Sequence, residues 1–477
     1  MANHLVTALI ACLCLPWTAR CVGVERPNII IIMADDLGYG ELGCYGQQVI
    51  QTPRLDQMAR EGIQFTQFYA GCTVCAPSRS VLMTGQHTGH TYVRGNAGAV
   101  DTSIQSLRDQ DVTLAEVLKS VNYNTGLIGK WGLGEIDQPG FPLRKGFDSF
   151  YGYLNQVHAH NYYPEFLYRD DQRVPLRNEV QLPPGAKPEF LGGHATQRVD
   201  YSHDLFANEA LDFVREQSAG PFFLYLALTI PHANNEAGRM VGNGAEVPTY
   251  GIYANRDWPD QDKGHAAMIT RMDADVGRLL DLLKELSIDD STLVFFTSDN
   301  GPHDESRHDL DRFNPSGPLT GIKRSLTEGG VRVPMIARWP QYIRPGSASD
   351  HVGYFADVMP TLMELTGANS DALLDGISFL PTLTGDGEQQ EHEYLYWEFY
   401  EQGSRQSVRF GDWVAIRQPM FTGQVSLFNL MDDIAQTTDV AAQHPEIVAR
   451  GINYMEQAHM PNPNWAPKGA PARAEQR

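Results

Sequence analysis

Five short apolar runs, at residues 28–34, 125–129, 221–229, 291–297 and 331–337, constrain the fold of this chain more than any other feature. Together they are rich in β-branched and aromatic residues, as expected for strands covered on both faces; a strand with one wet face would alternate apolar and polar residues. Helical patterns lie between the runs. Thr52-Pro53 begins one, with Leu55, Met58 and Ala59 on one face and Gly62 as its stop. Thr113 and Glu116 make a capping box for the next, and a third spans 265–286 with Met268, Met272, Val276, Leu279 and Leu283 in helical register. Alternating strands and helices predict an α/β fold, a large doubly wound mixed sheet flanked by helices.

The pattern changes near Gly385. Residues 385–393 are polar, and 394–400, 407–417 and 425–429 read as short antiparallel strands separated by glycine turns, followed by a helix over 445–458. The expected organisation is an α/β catalytic domain over 24–385, a smaller C-terminal α+β subdomain over 386–462, and a loose Pro- and Ala-rich tail over 463–477. Residues 5–17 are apolar but too few to span a bilayer, so 1–23 reads as a signal peptide and the protein as secreted or periplasmic. A lipid anchor at Cys21 is less favoured, because Arg20 stands where a small residue is expected. Three of the six cysteines fall in that leader, leaving Cys44, Cys72 and Cys75. So few cysteines argue against a disulfide framework, although one Cys44–Cys72 bridge stays open.

With 37 Lys+Arg against 58 Asp+Glu the net charge is −21, and no basic run offers a surface for nucleic acid. No later segment reads as a membrane span, and nothing in the sequence sets the oligomeric state. The composition allows an acidic chain to act on a small anion if a few cations gather in one cleft.

In an open α/β sheet that cleft lies outside the carboxyl ends of the strands. The most unusual polar residues fall there: Asp35-Asp36 after the first run, Lys130 after the second, Pro231-His232 after the third and Asp299-Asn300 after the fourth. Three carboxylates and an amide form a hard oxygen set that suits Ca²⁺, or Mg²⁺, better than Zn²⁺. Either acidic pair alone could be a turn or a helix cap; two after two buried strands point to a shared metal site. The stretch Cys75-Ala76-Pro77-Ser78-Arg79 puts Pro77 in the first turn of a helix and Cys75 at its N-terminus, where free N–H groups favour anionic oxygens.

This Cys-x-Pro-Ser-Arg stretch, with Thr84-Gly85 beyond it, resembles the signature of the type I sulfatases in the alkaline phosphatase superfamily, of the arylsulfatase and N-acetylgalactosamine-sulfatase kind. The likeness continues through Asp35-Asp36-Leu37-Gly38, Gly129-Lys130-Trp131, Pro231-His232, Ser298-Asp299-Asn300-Gly301, Lys323 and Glu328-Gly329-Gly330, and reaches Leu427-Phe428-Asn429-Leu430. The resemblance implies that Cys75 is oxidised by a maturation enzyme to formylglycine, whose hydrate is the nucleophile. It implies Ca²⁺ on Asp35, Asp36, Asp299 and Asn300, with the residue-75 side chain beside it. Arg79 would orient the nucleophile, Lys130, His232 and Lys323 would surround the sulfate, and His232 or Lys323 would protonate the leaving alcohol.

One position departs from the family pattern. Gly132 stands where many relatives have a histidine that helps release sulfate, which leaves the base for that step unassigned. The implied activity is hydrolysis of sulfate monoesters on a sulfated carbohydrate, with galactose or N-acetylgalactosamine units as the guess. The alternatives are a phosphonate or phosphate monoester hydrolase, and a sulfated-glycan-binding relative without turnover. Further substrate contacts are sought at His303, His158, His160 and Arg94, each of which could instead be a packed or ion-paired structural residue.

Overall fold

The structure is a computed structural model that describes residues 26–97, 101–187 and 189–466. The expected leader 1–23 and most of the expected tail lie outside the described residues. Seventeen strands occur among them. Those of the main sheet are β1 (Asn28–Asp35), β2 (Ile63–Tyr69), β3 (Asn124–Lys130), β4 (Ser149–Tyr153), β5 (Phe166–Arg169) and β6 (Gln172–Pro175). After a small hairpin of β7 (Glu179–Gln181) and β8 (His194–Gln197) come β9 (Phe222–Pro231), β10 (Thr292–Ser298), β11 (Arg332–Arg338), β12 (Ser347–Ser349) and β13 (Gly353–Tyr354). Their order is β12-β2-β11-β10-β1-β9-β3-β4-β5-β6, with β13 also on β2. The centre, β10-β1-β9-β3-β4, is parallel, while β11 and β5 join antiparallel on either side. This is the mixed α/β sheet that the alternation predicts.

The pleat of β1 shows why its run is continuously apolar. Ile29, Ile31 and Met33 enter one core with Tyr225, Phe295 and the helix residues Val81, Leu82 and Leu118. Ile30, Ile32 and Ala34 enter the opposite core with Leu224, Val294, Leu55, Met268 and Leu283. Successive side chains point to opposite faces, so a strand roofed on both sides needs an apolar residue at every position. Each buried isoleucine contributes about 1.5–3 kcal/mol of transfer free energy.

Local signals set most element ends. The helix Pro53–Glu61 starts on its proline and stops at Gly62. Thr113 accepts from the Glu116 N–H, and the Glu116 carboxylate answers the Thr113 N–H at 2.8 Å, completing the capping box. The long helix spans Asp260–Glu285 and so begins before the expected 265: Asp260 and Asp262 occupy its first turn, where acidic side chains suit the helix dipole. A four-stranded antiparallel sheet follows, β14 (Leu395–Phe399), β15 (Arg405–Phe410), β16 (Trp413–Gln418) and β17 (Gln424–Asn429), closed by the helix Pro445–Ala458. The single run expected over 407–417 is thus two strands, folded back at Gly411, whose φ of 58° permits the tight turn. Among the described residues no helix is long and apolar enough to cross a membrane. Cys44, Cys72 and Cys75 are free thiols, so Cys44 and Cys72 are not bridged.

Candidate active site

The central strands deliver their polar termini to one edge of the sheet. Asp35 ends β1 and Asp36 follows it; Lys130 ends β3, His232 follows β9, and Asp299 and Asn300 follow β10. None of these six is more than 3% exposed. Asp36 sits in the left-handed region at φ 64°, a conformation that costs a non-glycine residue roughly 1–2 kcal/mol. The cost has a structural return: consecutive residues of an extended strand point apart, whereas this turn leaves both Asp35 and Asp36 within reach of the same cluster.

Cys75 opens the helix Cys75–Thr84, and its Sγ lies 3.4 Å from Asp35 Oδ1. One turn along, the fully buried Arg79 donates from Nε and Nη2 to Asp299 Oδ2 at 3.1 and 2.8 Å, and from Nη1 to the Lys130 carbonyl at 2.7 Å. Lys130 Nζ donates to Asp35 Oδ2 at 2.6 Å, and Lys323 Nζ to Asp36 Oδ2 at 2.7 Å. Each buried carboxylate therefore has its own cation, without which it would carry an uncompensated penalty of several kcal/mol. Lys323 Nζ also donates to His232 Nε2 at 2.9 Å and to Glu305 Oε2 at 3.1 Å. His232 Nδ1 lies 2.7 Å from the Ala233 carbonyl, to which it must donate, so Nε2 is the unprotonated nitrogen that faces Lys323.

The electrostatics follow from this crowding. Burial drives the Asp36 carboxyl up to about 7 against the pull of Lys323, with Asp35 adding to the rise. Burial also works to raise Asp35, but the charges of Lys130 and Arg79 outweigh it and hold that group far below the usual carboxylate range. Burial and then Lys323 push His232 down, so it is neutral. Burial, and then Asp35, drive the Cys75 thiol far up.

A cation would complete the set. Asn300 Nδ2 donates to Asp36 Oδ1 at 2.7 Å and to the Gly301 carbonyl at 2.8 Å, which leaves Asn300 Oδ1 buried and without a donor among the described residues. Such an oxygen costs about 1–3 kcal/mol unless something satisfies it. Asp35, Asp36, Cys75 and His232 offer ligand atoms all within 4.8 Å of one another. Three carboxylates and an orphaned amide oxygen fit a hard divalent ion.

Comparison with known proteins agrees with this geometry. The sulfatase family profile matches residues 27–368, and that of the N-sulphoglucosamine sulphohydrolase C-terminal region matches 322–441. The chain belongs to the sulfatase family. It is 33% identical over 385 residues to N-acetylgalactosamine-6-sulfatase of Canis lupus familiaris, covering 78% of this chain and 69% of that one. To arylsulfatase A of Homo sapiens it is 34% identical over 385 residues, covering 78% and 71%. The solved structure of Ps i-CgsB in complex with k-i-k-neocarrahexaose superposes with a TM-score of 0.74 at 28% identity, covering 91% of this chain and 92% of that one. The protein is thus a sulfuric ester hydrolase of arylsulfatase type in the alkaline phosphatase superfamily.

As a sulfatase its substrate must reach this buried cluster, and the four residues suggested as further contacts divide. His160 stacks on His232, with ring centroids 4.9 Å apart and Nδ1 3.1 Å from Glu236 Oε2, so it stands beside the cluster. His303 also adjoins it, but both ring nitrogens are occupied: Nε2 donates to the Pro231 carbonyl at 2.9 Å and Nδ1 accepts from the Glu305 N–H at 3.1 Å. It holds the His232 and Glu305 loops in place and has no free nitrogen for a sugar. His158 is not brought to the cluster; it packs between Tyr153 and Phe166. Arg94 is turned inward, donating from Nη1 to Glu398 and the Met460 carbonyl and from Nε to the Thr91 carbonyl. The aromatic-rich sequence around His158 serves packing, and Arg94 serves a buried ion pair.

Two neighbours had no sequence signal. Glu305 touches Lys323 and Arg324, yet lies in a loop with no motif beyond His303. Gln156 puts its amide Nε2 where Gly132 would carry a side chain: a Cβ built on Gly132 would lie 2.2 Å from it. The space beside Gly132 is therefore filled from β4's trailing loop.

Proposed function

We propose that the chain removes sulfate from sulfated carbohydrate, with Cys75 matured to formylglycine as the nucleophile and Ca²⁺ held by Asp35, Asp36, Asp299 and Asn300 beside residue 75. The observation that carries this reading is Asn300 Oδ1, a buried acceptor left open on an amide whose Nδ2 donates to Asp36 Oδ1, while the Asp36 N–H donates to Asp299 Oδ1. Bound there, the cation would supply Lewis-acid charge for the sulfate and lower the pKa of the attacking hydroxyl. The chain's own residues account for the rest. Arg79, fixed between Asp299 and the Lys130 carbonyl, holds the first turn of the nucleophile helix in register with the acidic cluster. Lys130 and Lys323 place two ammonium groups at the carboxylates where a sulfate would lie, and would take up charge as the ester bond breaks. The proton for the leaving alcohol is held by the Lys323–His232 pair, joined by one 2.9 Å hydrogen bond, and Lys323 carries it at rest.

N-acetylgalactosamine-6-sulfatase and the neocarrahexaose complex are sulfated-sugar precedents among the relatives, and they support a carbohydrate substrate. The reading includes export with a cleaved leader over 1–23 and maturation by a formylglycine-generating enzyme. We also assign 24–385 as the catalytic unit and 386–462 as a subdomain, supported by the separate small core of Tyr396, Val408, Phe410, Leu427 and Met455.

Mass spectrometry of the Cys75 peptide from exported protein tests the nucleophile. Formylglycine weighs about 18 Da less than cysteine and reacts with a hydrazide. That product, with calcium in elemental analysis and sulfate release from 4-nitrophenyl sulfate, is the expected result. An unmodified thiol in fully active protein would overturn the assignment.

A further inference from the structure

A continuous polar chain runs around the entrance to the charged cluster. It leaves the nucleophile helix where the Ala76 N–H donates to Asn96 Oδ1 at 3.2 Å, and Asn96 Nδ2 reaches Glu401 Oε1 at 3.5 Å. Glu401 Oε2 accepts from Arg324 Nε at 3.3 Å, Arg324 Nη1 lies 2.8 Å from Glu305 Oε1, and Glu305 Oε2 returns to Lys323 Nζ. Exposure rises along it, from 3% at the Lys323 side chain through 15% at Glu305 and 28% at Arg324 to 35% at Glu401. Solvent thus reaches the cluster past Arg324 and Glu401, and a sugar that carries the sulfate can stand on this side. Glu401 comes from the loop between β14 and β15, so the C-terminal sheet supplies part of the entrance.

The charges at this mouth cancel. Arg324 and Arg405 are cations, and Arg405 Nη1 donates to the Arg324 carbonyl at 2.8 Å; Glu305 and Glu401 are the matching anions. A second sulfate or a uronate next to the reacting ester would meet Glu401 without surplus positive charge to compensate it. Neighbouring sugar hydroxyls, by contrast, can donate to the Glu401 carboxylate and accept from the Arg324 guanidinium. We infer that Glu401 and Arg324 are the specificity-determining pair, and that they select a sugar ring whose only anionic group is the sulfate to be removed. This rests on the sulfatase reading of the inner cluster.

The test is calorimetric titration of the full chain carrying Cys75→Ala, calcium-loaded, with N-acetylgalactosamine 6-sulfate and with N-acetylgalactosamine 4,6-disulfate. The monosulfate is expected to bind about tenfold more tightly, the scale of one charge-assisted hydrogen bond. Adding Glu401→Gln weakens the monosulfate and narrows the preference, because the mouth gains a positive charge; adding Arg324→Gln widens it. Opposite shifts distinguish recognition from structural damage, which would move both ligands together. Tighter binding of the disulfate by the parent, parallel shifts in the two variants, or binding of neither sugar would each overturn the inference. Turnover of 4-nitrophenyl sulfate by the matured protein is measured alongside: its absence, with the monosulfate preference intact, would remove the catalytic reading and leave this one standing.

Discussion

Gly132 stands where the sequence reading expects a histidine, and its surroundings show that introducing one there will not by itself build a working base. Its φ is 77°, where any side chain is strained by roughly 1–2 kcal/mol, and the Gln156 amide already occupies the space. Gly132→His is therefore expected to lower stability by about 1–2 kcal/mol without raising turnover. Adding Gln156→Gly should relieve the contact and recover part of the loss, leaving the backbone strain. Urea unfolding of the two variants beside the parent measures this; a single variant as stable as the parent would show that the loop yields freely. The residues of the charged cluster were legible in the sequence because each belongs to a short motif, Asp35-Asp36 and Asp299-Asn300 at strand ends and Cys75 at the start of a helix. Glu305, Arg324, Glu401 and Gln156 were not, since loops brought together from distant parts of the chain leave no local pattern.

At the scale of elements, what the sequence showed and what it hid have the same cause. Strands buried on both faces announce themselves as unbroken apolar runs, and β1, β3, β9, β10 and β11 were all readable to within two residues at each end. β2, Ile-Gln-Phe-Thr-Gln-Phe-Tyr, alternates instead, so it is missing from the set of unbroken apolar runs. The stretch around His158 was open to both readings, substrate contact and packing, because aromatic rings pack a core and stack on a sugar by the same chemistry. Strand spacing also sets the site. Gly129, at φ 108°, lets β3 lie against β9 so closely that an added Cβ would fall 1.9 Å from the Ala227 carbonyl oxygen. Gly129→Ala must force these strands apart just before Lys130 leaves β3 for Asp35. The expected outcome is a loss of about 3 kcal/mol or more, together with at least a tenfold fall in turnover. Thermal unfolding and 4-nitrophenyl sulfate hydrolysis check it, and unchanged turnover would detach Lys130 from the sheet's geometry.

Over the whole molecule, buried neutral histidines set the acid limit of the fold. Burial presses His158 down to about 3, with Arg173 adding to it, and presses His87 down to about 4 against the pull of Asp375. In the unfolded chain each titrates near 6.5, so below that pH the unfolded state takes up protons that the folded state refuses. Their stabilising contribution is whole above pH 6.5 and falls by about 1.4 kcal/mol per histidine for each unit of acidification. Asp273 works the other way: burial raises its carboxyl to about 6, so between about pH 6 and 3.8 it offsets one of the two. Acidification toward the isoelectric point near 5.1 also removes the net charge that keeps copies apart. His158 isolates the effect, because its ring packs between Tyr153 and Phe166 and its Nδ1 has no hydrogen-bond partner among the described residues. His158→Leu keeps an apolar group there and removes the titration. Between pH 7 and pH 5 the parent should lose about 2 kcal/mol more than this variant in urea unfolding; parallel losses would mean that His158 becomes protonated within the fold at no cost.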